Sequence, residues 1–173
     1  SCTEDMFRLG ISLLDRVRKY GILTIVGGVY PTFAPELVLA YDSVDIVCKG
    51  EGEDALVELC DRLERGTDYY DIPNLWFKKE DDIISNRTEM IDMDANPLID
   101  MSLFEDARFY RPMGGQVYRM FPVETHRGCP YKCAFCNSPS QMDMYQQEAS
   151  SNYLRRKSFD NMRRELLFYK NEM

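Results

Sequence analysis

Three cysteines, Cys129, Cys133 and Cys136, fall within the run His126-Arg127-Gly128-Cys129-Pro130-Tyr131-Lys132-Cys133-Ala134-Phe135-Cys136-Asn137. Three thiolates on one short loop can hold three irons of a cubic 4Fe–4S cluster and leave the fourth iron open to a small molecule. Proteins whose clusters only carry electrons ordinarily supply four cysteines, so three point to chemistry at the open iron. Gly128 and Pro130 flank the first cysteine and permit the sharp bend that lets the sulfurs converge. Other readings exist for the same residues. His126 with the three cysteines would make a closed tetrahedral zinc site, and the chain would then be a structural or interaction module without catalysis. Against this, structural zinc sites usually split their ligands into two separated pairs. Cys133 and Cys136 alone spell a C-x-x-C redox dithiol, and the three could also be unrelated structural thiols. A single histidine beside an arginine is more often a loop side chain than a ligand. Phe135 reads either as core packing or as a shield for the cluster's open corner.

The rest of the chain must position this loop. Its 173 residues are 45% hydrophobic and 29% charged, the composition of a globular chain. No apolar run approaches the roughly 20 residues of a membrane helix, and the first residues do not read as a signal peptide. The expectation is a cytoplasmic protein without membrane contact. Cys2, Cys48 and Cys60 are scattered through apolar surroundings and read as buried core thiols. The net charge of -8 is uneven: residues 1–100 carry 10 basic and 21 acidic groups, residues 101–173 carry 11 and 8. The basic part suits an anionic cluster and a carboxylate or phosphate ligand. Charge alone makes no case for nucleic acid.

The patterning predicts an α/β chain. An amphipathic helix is expected near 5–20, N-capped by Thr3, with Met6, Leu9, Leu13, Val17 and Tyr20 at helical spacing and Gly21 at its end. Residues 22–26 read as a buried parallel strand, followed by Gly27-Gly28. A short helix starts at Pro35, a second strand covers 44–48, and Gly50-Glu51-Gly52-Glu53 leads into a helix near 53–65 with Leu56, Leu59, Cys60 and Leu63 on one face. Gly27-Gly28 is either a tight turn or a place where a planar or nucleotide-like ligand approaches the backbone. Two strands make only half of a doubly wound sheet, so the chain is expected to be a fragment. Residues 71–115 read as a connector holding a hairpin around Glu80-Asp81-Asp82. Residues 117–125 form a candidate strand into the cysteine loop. A last helix begins after Ser158, with Phe159, Met162, Leu166 and Tyr169 on one face.

The stretch Glu124-Thr125-His126-Arg127-Gly128-Cys129 through Cys136-Asn137 resembles the cluster loop of the radical S-adenosylmethionine (SAM) enzymes, where an aromatic before the last cysteine, here Phe135, is characteristic. The upstream pieces Ser1-Cys2-Thr3, Gly27-Gly28 with Tyr30-Pro31-Thr32, and Val44-Asp45-Ile46-Val47 with Gly50-Glu51-Gly52-Glu53 resemble the tail of the cobalamin-binding domain fused in front of such enzymes. Arg155-Arg156-Lys157-Ser158 resembles what succeeds the loop in this fused class. The resemblance implies a partial Rossmann-like, cobalamin-binding-type domain at 1–70, a connector at 71–115, and the first β/α unit of a radical SAM partial TIM barrel at 116–173. It implies that Cys129, Cys133 and Cys136 ligate the cluster, that Phe135 lies against SAM, and that Ser1, Thr3, Gly27 and Gly28 line a cobalamin pocket. It further implies reductive cleavage of SAM to a 5′-deoxyadenosyl radical, and methyl transfer or cyclisation on a small-molecule substrate. An electron donor such as flavodoxin or ferredoxin would be the partner. The Asp-x-His-x-x-Gly segment of cobalamin domains lies upstream of the residues present, and the fragment is expected to be inactive alone.

Overall fold

The computed structural model describes residues 4–80 and 82–172. Ser1, Cys2 and Thr3, with the expected cap and two of the expected cobalamin residues among them, lie outside the described residues. Helix α1 (Glu4–Val17) passes into a 3-10 turn at Arg18–Tyr20, which Gly21 closes at φ 63° by donating its N–H to the Arg18 carbonyl. That left-handed cap is the signal read in the sequence. Strand β1 (Ile25–Gly27) follows, then two short helices, α2 (Val29–Phe33) and α3 (Pro35–Leu39), strand β2 (Ile46–Cys48), helix α4 (Glu53–Arg65), and the hairpin β3 (Leu75–Lys79) and β4 (Asp82–Ser85).

These strands form one sheet in the order β1-β2-β3-β4, with β1 and β2 parallel and the remaining pairs antiparallel. The sheet is therefore mixed and has four strands, where the sequence predicted two. The hairpin expected in the connector pairs along β2, placing Leu75 opposite Cys48 and Phe77 opposite Ile46. The period-2 alternation of β2 builds two cores. Ile46 and Cys48 meet Ala55 and Leu59 of α4 together with Ile72, Leu75 and Phe77. Val44 and Val47 meet Phe7 and Ile11 of α1 and Val38 and Leu39 of α3 on the other face. Each fully buried large side chain is worth about 1.5–3 kcal/mol, so these two layers hold the first unit, residues 1–91 with 144–151.

The helical faces are shifted from those expected. Met6, Leu9, Leu13 and Tyr20 are exposed, and the stripe that is buried runs through Phe7 and Ile11. Both sides of α1 are apolar, and the aromatic stripe meets Tyr30 and Tyr41, whose ring centroids lie 4.9 and 5.3 Å from Phe7. On α4 the buried pair is Ala55 and Leu59, and Leu56, Cys60 and Leu63 face outward. Cys48 is the buried core thiol expected, and Cys60 is not. β1 is the outer strand of this sheet, so Ile22 and Ile25 are not covered on both faces.

The second unit comprises residues 92–143 and 152–173. Strands β5 (Tyr110–Met113) and β6 (Gln116–Arg119) form a hairpin around Gly114-Gly115, both at positive φ (58° and 80°). Those angles are what a two-residue type I′ turn demands, a signal read in the sequence only as punctuation. The single strand expected over 117–125 is divided. β6 ends at Arg119, and the next pairing is β7 (His126–Arg127) with β8 (Arg155–Arg156), antiparallel. Helix α5 (Ser138–Glu148) was not foreseen, because it lacks an apolar stripe, although Pro139 stands where helices favour proline. Helix α6 (Phe159–Glu172) begins as predicted: Asn161 N–H donates to Ser158 Oγ at 3.2 Å. Its buried positions are Glu165 and Tyr169, with Phe159 and Leu166 exposed.

Candidate functional site

The cysteine loop leaves β7 and ends at the N-terminus of α5. Gly128 sits at φ 99°, a conformation glycine alone adopts readily, and a Cβ there would lie 2.8 Å from the Tyr153 carbonyl carbon and 2.9 Å from Leu154 Cα. The entry to the loop is thus pressed against the backbone that leads into β8. Lys157 N–H donating to the Thr125 carbonyl at 3.1 Å extends the same join. Cys136 N–H donates to the Cys133 carbonyl at 3.1 Å, forming the turn that carries the last two thiols, and Ser138 N–H donates to Cys136 Sγ at 3.4 Å. Cys129 and Cys133 are half-buried and Cys136 is exposed. Phe135 is 93% exposed, so it packs into neither core of this chain.

Charged groups brace the loop. Glu124 accepts two bonds of 2.9 Å from the Arg127 guanidinium. Those bonds hold the Glu124 carboxyl below the usual carboxylate range, against the opposing cost of its burial, with Arg127, Lys157 and Arg155 adding their charge. Lys157 Nζ and Glu165 Oε2 form a buried pair at 2.7 Å, and Tyr169 O–H donates to Glu165 Oε1 at 2.8 Å. Burial, then that bond and the Glu165 charge, push the Tyr169 phenol up. No single-ion centre is built from these groups: among the described residues no three His, Cys, Asp or Glu side chains are set to share one metal ion. A zinc ion would need its ligand atoms about 2.3 Å away, whereas a cube spreads its thiolates to separate corners. His126 Nδ1 lies 2.9 Å from Thr125 Oγ1. Three soft thiols on one loop, with a backbone N–H on one sulfur, are a donor set that fits an iron–sulfur cube.

The other expected residues lie in the first unit, at the C-terminal ends of β1 and β2. Gly28, at φ 115°, precedes α2, and its carbonyl accepts from Thr32 N–H (3.0 Å) and Thr32 Oγ1 (2.7 Å). Gly50 N–H in turn donates to Thr32 Oγ1 at 3.0 Å, tying the two glycine turns together. Beside them opens a groove of about 390 Å³ lined by Ile25, Gly27, Cys48, Gly52, Glu53 and Leu56. A Cβ on Gly27 would lie 3.3 Å from Cys48 Cβ, and one on Gly52 would lie 3.0 Å from Cys48 Sγ, so both glycines clear the groove floor. Burial, with the Glu53 charge second, pushes the Cys48 thiol up to about 11. The sequence singles out Glu51 only within the run Gly50-Glu51-Gly52-Glu53, and Asn74 only as the start of a hairpin strand. Asn74, at φ 66°, donates from Nδ2 to the Glu51 and Glu89 carbonyls, and buried Glu51 accepts from Ile91 N–H at 2.9 Å. They set the loop between β2 and α4.

What fold and site define together is a mixed α/β chain carrying a three-thiol loop and, in a separate unit, a glycine-cleared groove at the ends of two parallel strands. The chain is 30% identical over 126 residues to an uncharacterized methyltransferase of Pyrococcus horikoshii, covering 69% of this chain and 26% of that protein. It is 25% identical to the anaerobic magnesium-protoporphyrin IX monomethyl ester cyclase of Synechocystis sp., covering 73% and 25%. It is 27% identical to the cobalamin-dependent radical SAM methyltransferase TokK of Streptomyces tokunonensis, covering 79% and 21%. Among solved structures, the radical SAM methyltransferase TsrM of Kitasatospora setae shares the fold at TM-score 0.55 and 19% identity, over 91% of this chain and 30% of that one. The cobalamin-dependent radical enzyme OxsB superposes at TM-score 0.54 and 25% identity, over 77% and 18%. No family model matches. The chain matches a fragment of the cobalamin-dependent radical SAM enzymes, and it spans about a quarter of the length of the first curated relatives.

Proposed function

We propose that this chain is the part of a cobalamin-dependent radical SAM enzyme that joins its cobalamin-binding and cluster-binding regions, and that the whole protein performs methyl transfer or cyclisation on a small molecule. The observation that carries the reading is the loop of Cys129, Cys133 and Cys136, which lies between β7 and the N-terminus of α5. Cys129, Cys133 and Cys136 would hold the 4Fe–4S cluster, and the Ser138 N–H on Cys136 Sγ would share the charge of that thiolate. When bound, the cluster supplies the electron that cleaves SAM reductively, an electron delivered by a flavodoxin- or ferredoxin-type donor. Gly128 turns the chain where no side chain fits, and the Glu124–Arg127 pair keeps β7 straight into that turn. Phe135, fully presented to solvent in this chain, would cover the adenine of SAM. In the first unit, Gly27 and Gly52 would leave the groove open to the nucleotide tail of cobalamin, with Cys48 as its neutral floor. The chain would divide into the tail of a Rossmann-like domain and the opening β/α unit of a partial barrel, with the boundaries given from the sequence.

Anaerobic reconstitution with iron and sulfide tests this. About four irons per chain and a brown chromophore that bleaches with dithionite are the expected result, and Cys133→Ala should abolish iron retention. Full iron retention by Cys133→Ala, or a colourless protein holding one zinc, overturns the assignment.

A further inference from the structure

The hairpin β5–β6 has one face that neither the cluster loop nor the groove uses. Pairing across the hairpin places Arg111 opposite Tyr118, and the Met120 N–H bond to the Phe109 carbonyl (2.7 Å) carries the same register one step further. By strand alternation, Phe109, Arg111, Tyr118 and Met120 share that face. Phe109, Arg111 and Met120 of that face line a pocket of about 250 Å³, completed by Ile99, Phe104, Arg108, Phe121 and Pro122. The aromatic rings are mutually braced: Phe104–Phe109 centroids are 6.4 Å apart and Phe109–Phe121 5.5 Å. Phe121 packs at 4.4 Å on Tyr169, which is buried.

The pocket's charge is one-sided. Two arginines, Arg108 and Arg111, are among its lining residues, and no acidic residue is. Glu105 lies 4.0 Å from Arg108 on the exposed surface, a separation worth little in water. Asp106 is engaged by Arg119 at 3.2 Å, and Asp100, next to the lining residue Ile99, accepts from Ser102 N–H and Oγ. Arg111 makes no ion pair among the described residues. A guanidinium fork matches a carboxylate with two parallel bonds.

We propose that this pocket binds a small apolar carboxylate, its aromatic or branched hydrocarbon part among Phe104, Phe109 and Phe121 and its carboxylate on Arg111 and Arg108. At a packing density of about 0.75, the pocket takes a ligand of about 190 Å³ van der Waals volume, roughly a dozen heavy atoms. That is the size of a two-ring aromatic acid. The site stands on its own residues and needs neither cluster nor cobalamin.

The test uses the whole 173-residue chain without added iron, so it fails or succeeds separately from the cluster assignment. The probes are 2-naphthoate and its neutral isostere 2-naphthamide, titrated by calorimetry and by ligand-observed NMR. Expected is saturable binding with 2-naphthoate at least about tenfold tighter than the amide, the gap narrowing with added salt. Arg111→Gln should bring the two affinities within about twofold, and Arg163→Gln, the same charge change on the exposed face of α6, should leave the gap intact. Phe104→Ala, at a half-exposed position, should weaken both probes about fivefold. Absent saturation, equal affinities in the unaltered chain, or an Arg163→Gln effect as large as that of Arg111→Gln overturns the proposal. Should Arg111→Gln lower the unfolding midpoint, Arg108→Gln carries the same test.

Discussion

Replacing Gly128 by alanine should unhinge the cysteine loop, and the geometry allows the cost to be worked out. The residue sits at φ 99°, where an L side chain is strained by about 1–2 kcal/mol. Its Cβ would also lie 2.8 Å from the Tyr153 carbonyl carbon and 2.9 Å from Leu154 Cα. Ordinary contact would require the 153–154 backbone to withdraw by roughly half an ångström, an overpacking cost of about 1–3 kcal/mol. Gly115 separates the two contributions. It has a φ of 80°, but nothing lies within 4 Å of its would-be Cβ, so Gly115→Ala should carry the conformational strain alone. The difference, about 2 kcal/mol, is a factor of about 30 in an opening equilibrium. Amide exchange reads it directly, because Lys157 N–H bonds to the Thr125 carbonyl across the join between β7 and β8. That amide should exchange about 30-fold faster in Gly128→Ala than in Gly115→Ala, and the former should also lose reconstituted iron. Equal exchange in the two variants would refute the claim that the loop entry is held by its contact with residues 153–154.

The buried pair in the second unit is expected to behave as a unit. Glu165→Leu leaves the Lys157 ammonium enclosed without its partner and should cost about 3–5 kcal/mol in chemical denaturation, while Lys157→Met with Glu165→Leu should recover most of it. Asp94 supplies a pH signature: hydrogen bonds from Ser158, then from Asn161, hold its carboxyl below the usual aspartate value of about 4. A depressed carboxyl stabilises above its unfolded value, so protection of the Ser158 amide should fall as pH drops below about 4. Asp94→Asn should remove that pH dependence; unchanged acid sensitivity would count against it. Alkylation at pH 8 followed by mass spectrometry should label Cys60 quickly and Cys48 slowly, since a thiol near 11 is about one-thousandth thiolate there. Equal labelling would show that the groove floor opens.

The most chemical part of this chain was also its most legible. A tight cysteine spacing depends on local chain alone, but the strand and helix that flank the loop, β7 and α5, are not the ones the sequence predicts. Caps at Gly21 and Ser158 were readable for the same reason: they are set by hydrogen bonds within one turn. Helix α5 was hidden because its length carries no apolar period, and Ser138 and Pro139 read as loop residues.

By itself, the sequence determined the three-thiol loop, the approximate helices and the alternation of β2, all of which arise from neighbours within a few residues. Which side of each helix is buried was decided only by the tertiary structure. Where both faces are apolar, as on α1 and α4, burial goes to whichever stripe fits the strands behind it. Pairing of β3 with β2, and of β7 with β8, joins segments about 30 residues apart. Such contacts depend on complementary surfaces meeting in space, and no local pattern encodes which partner wins.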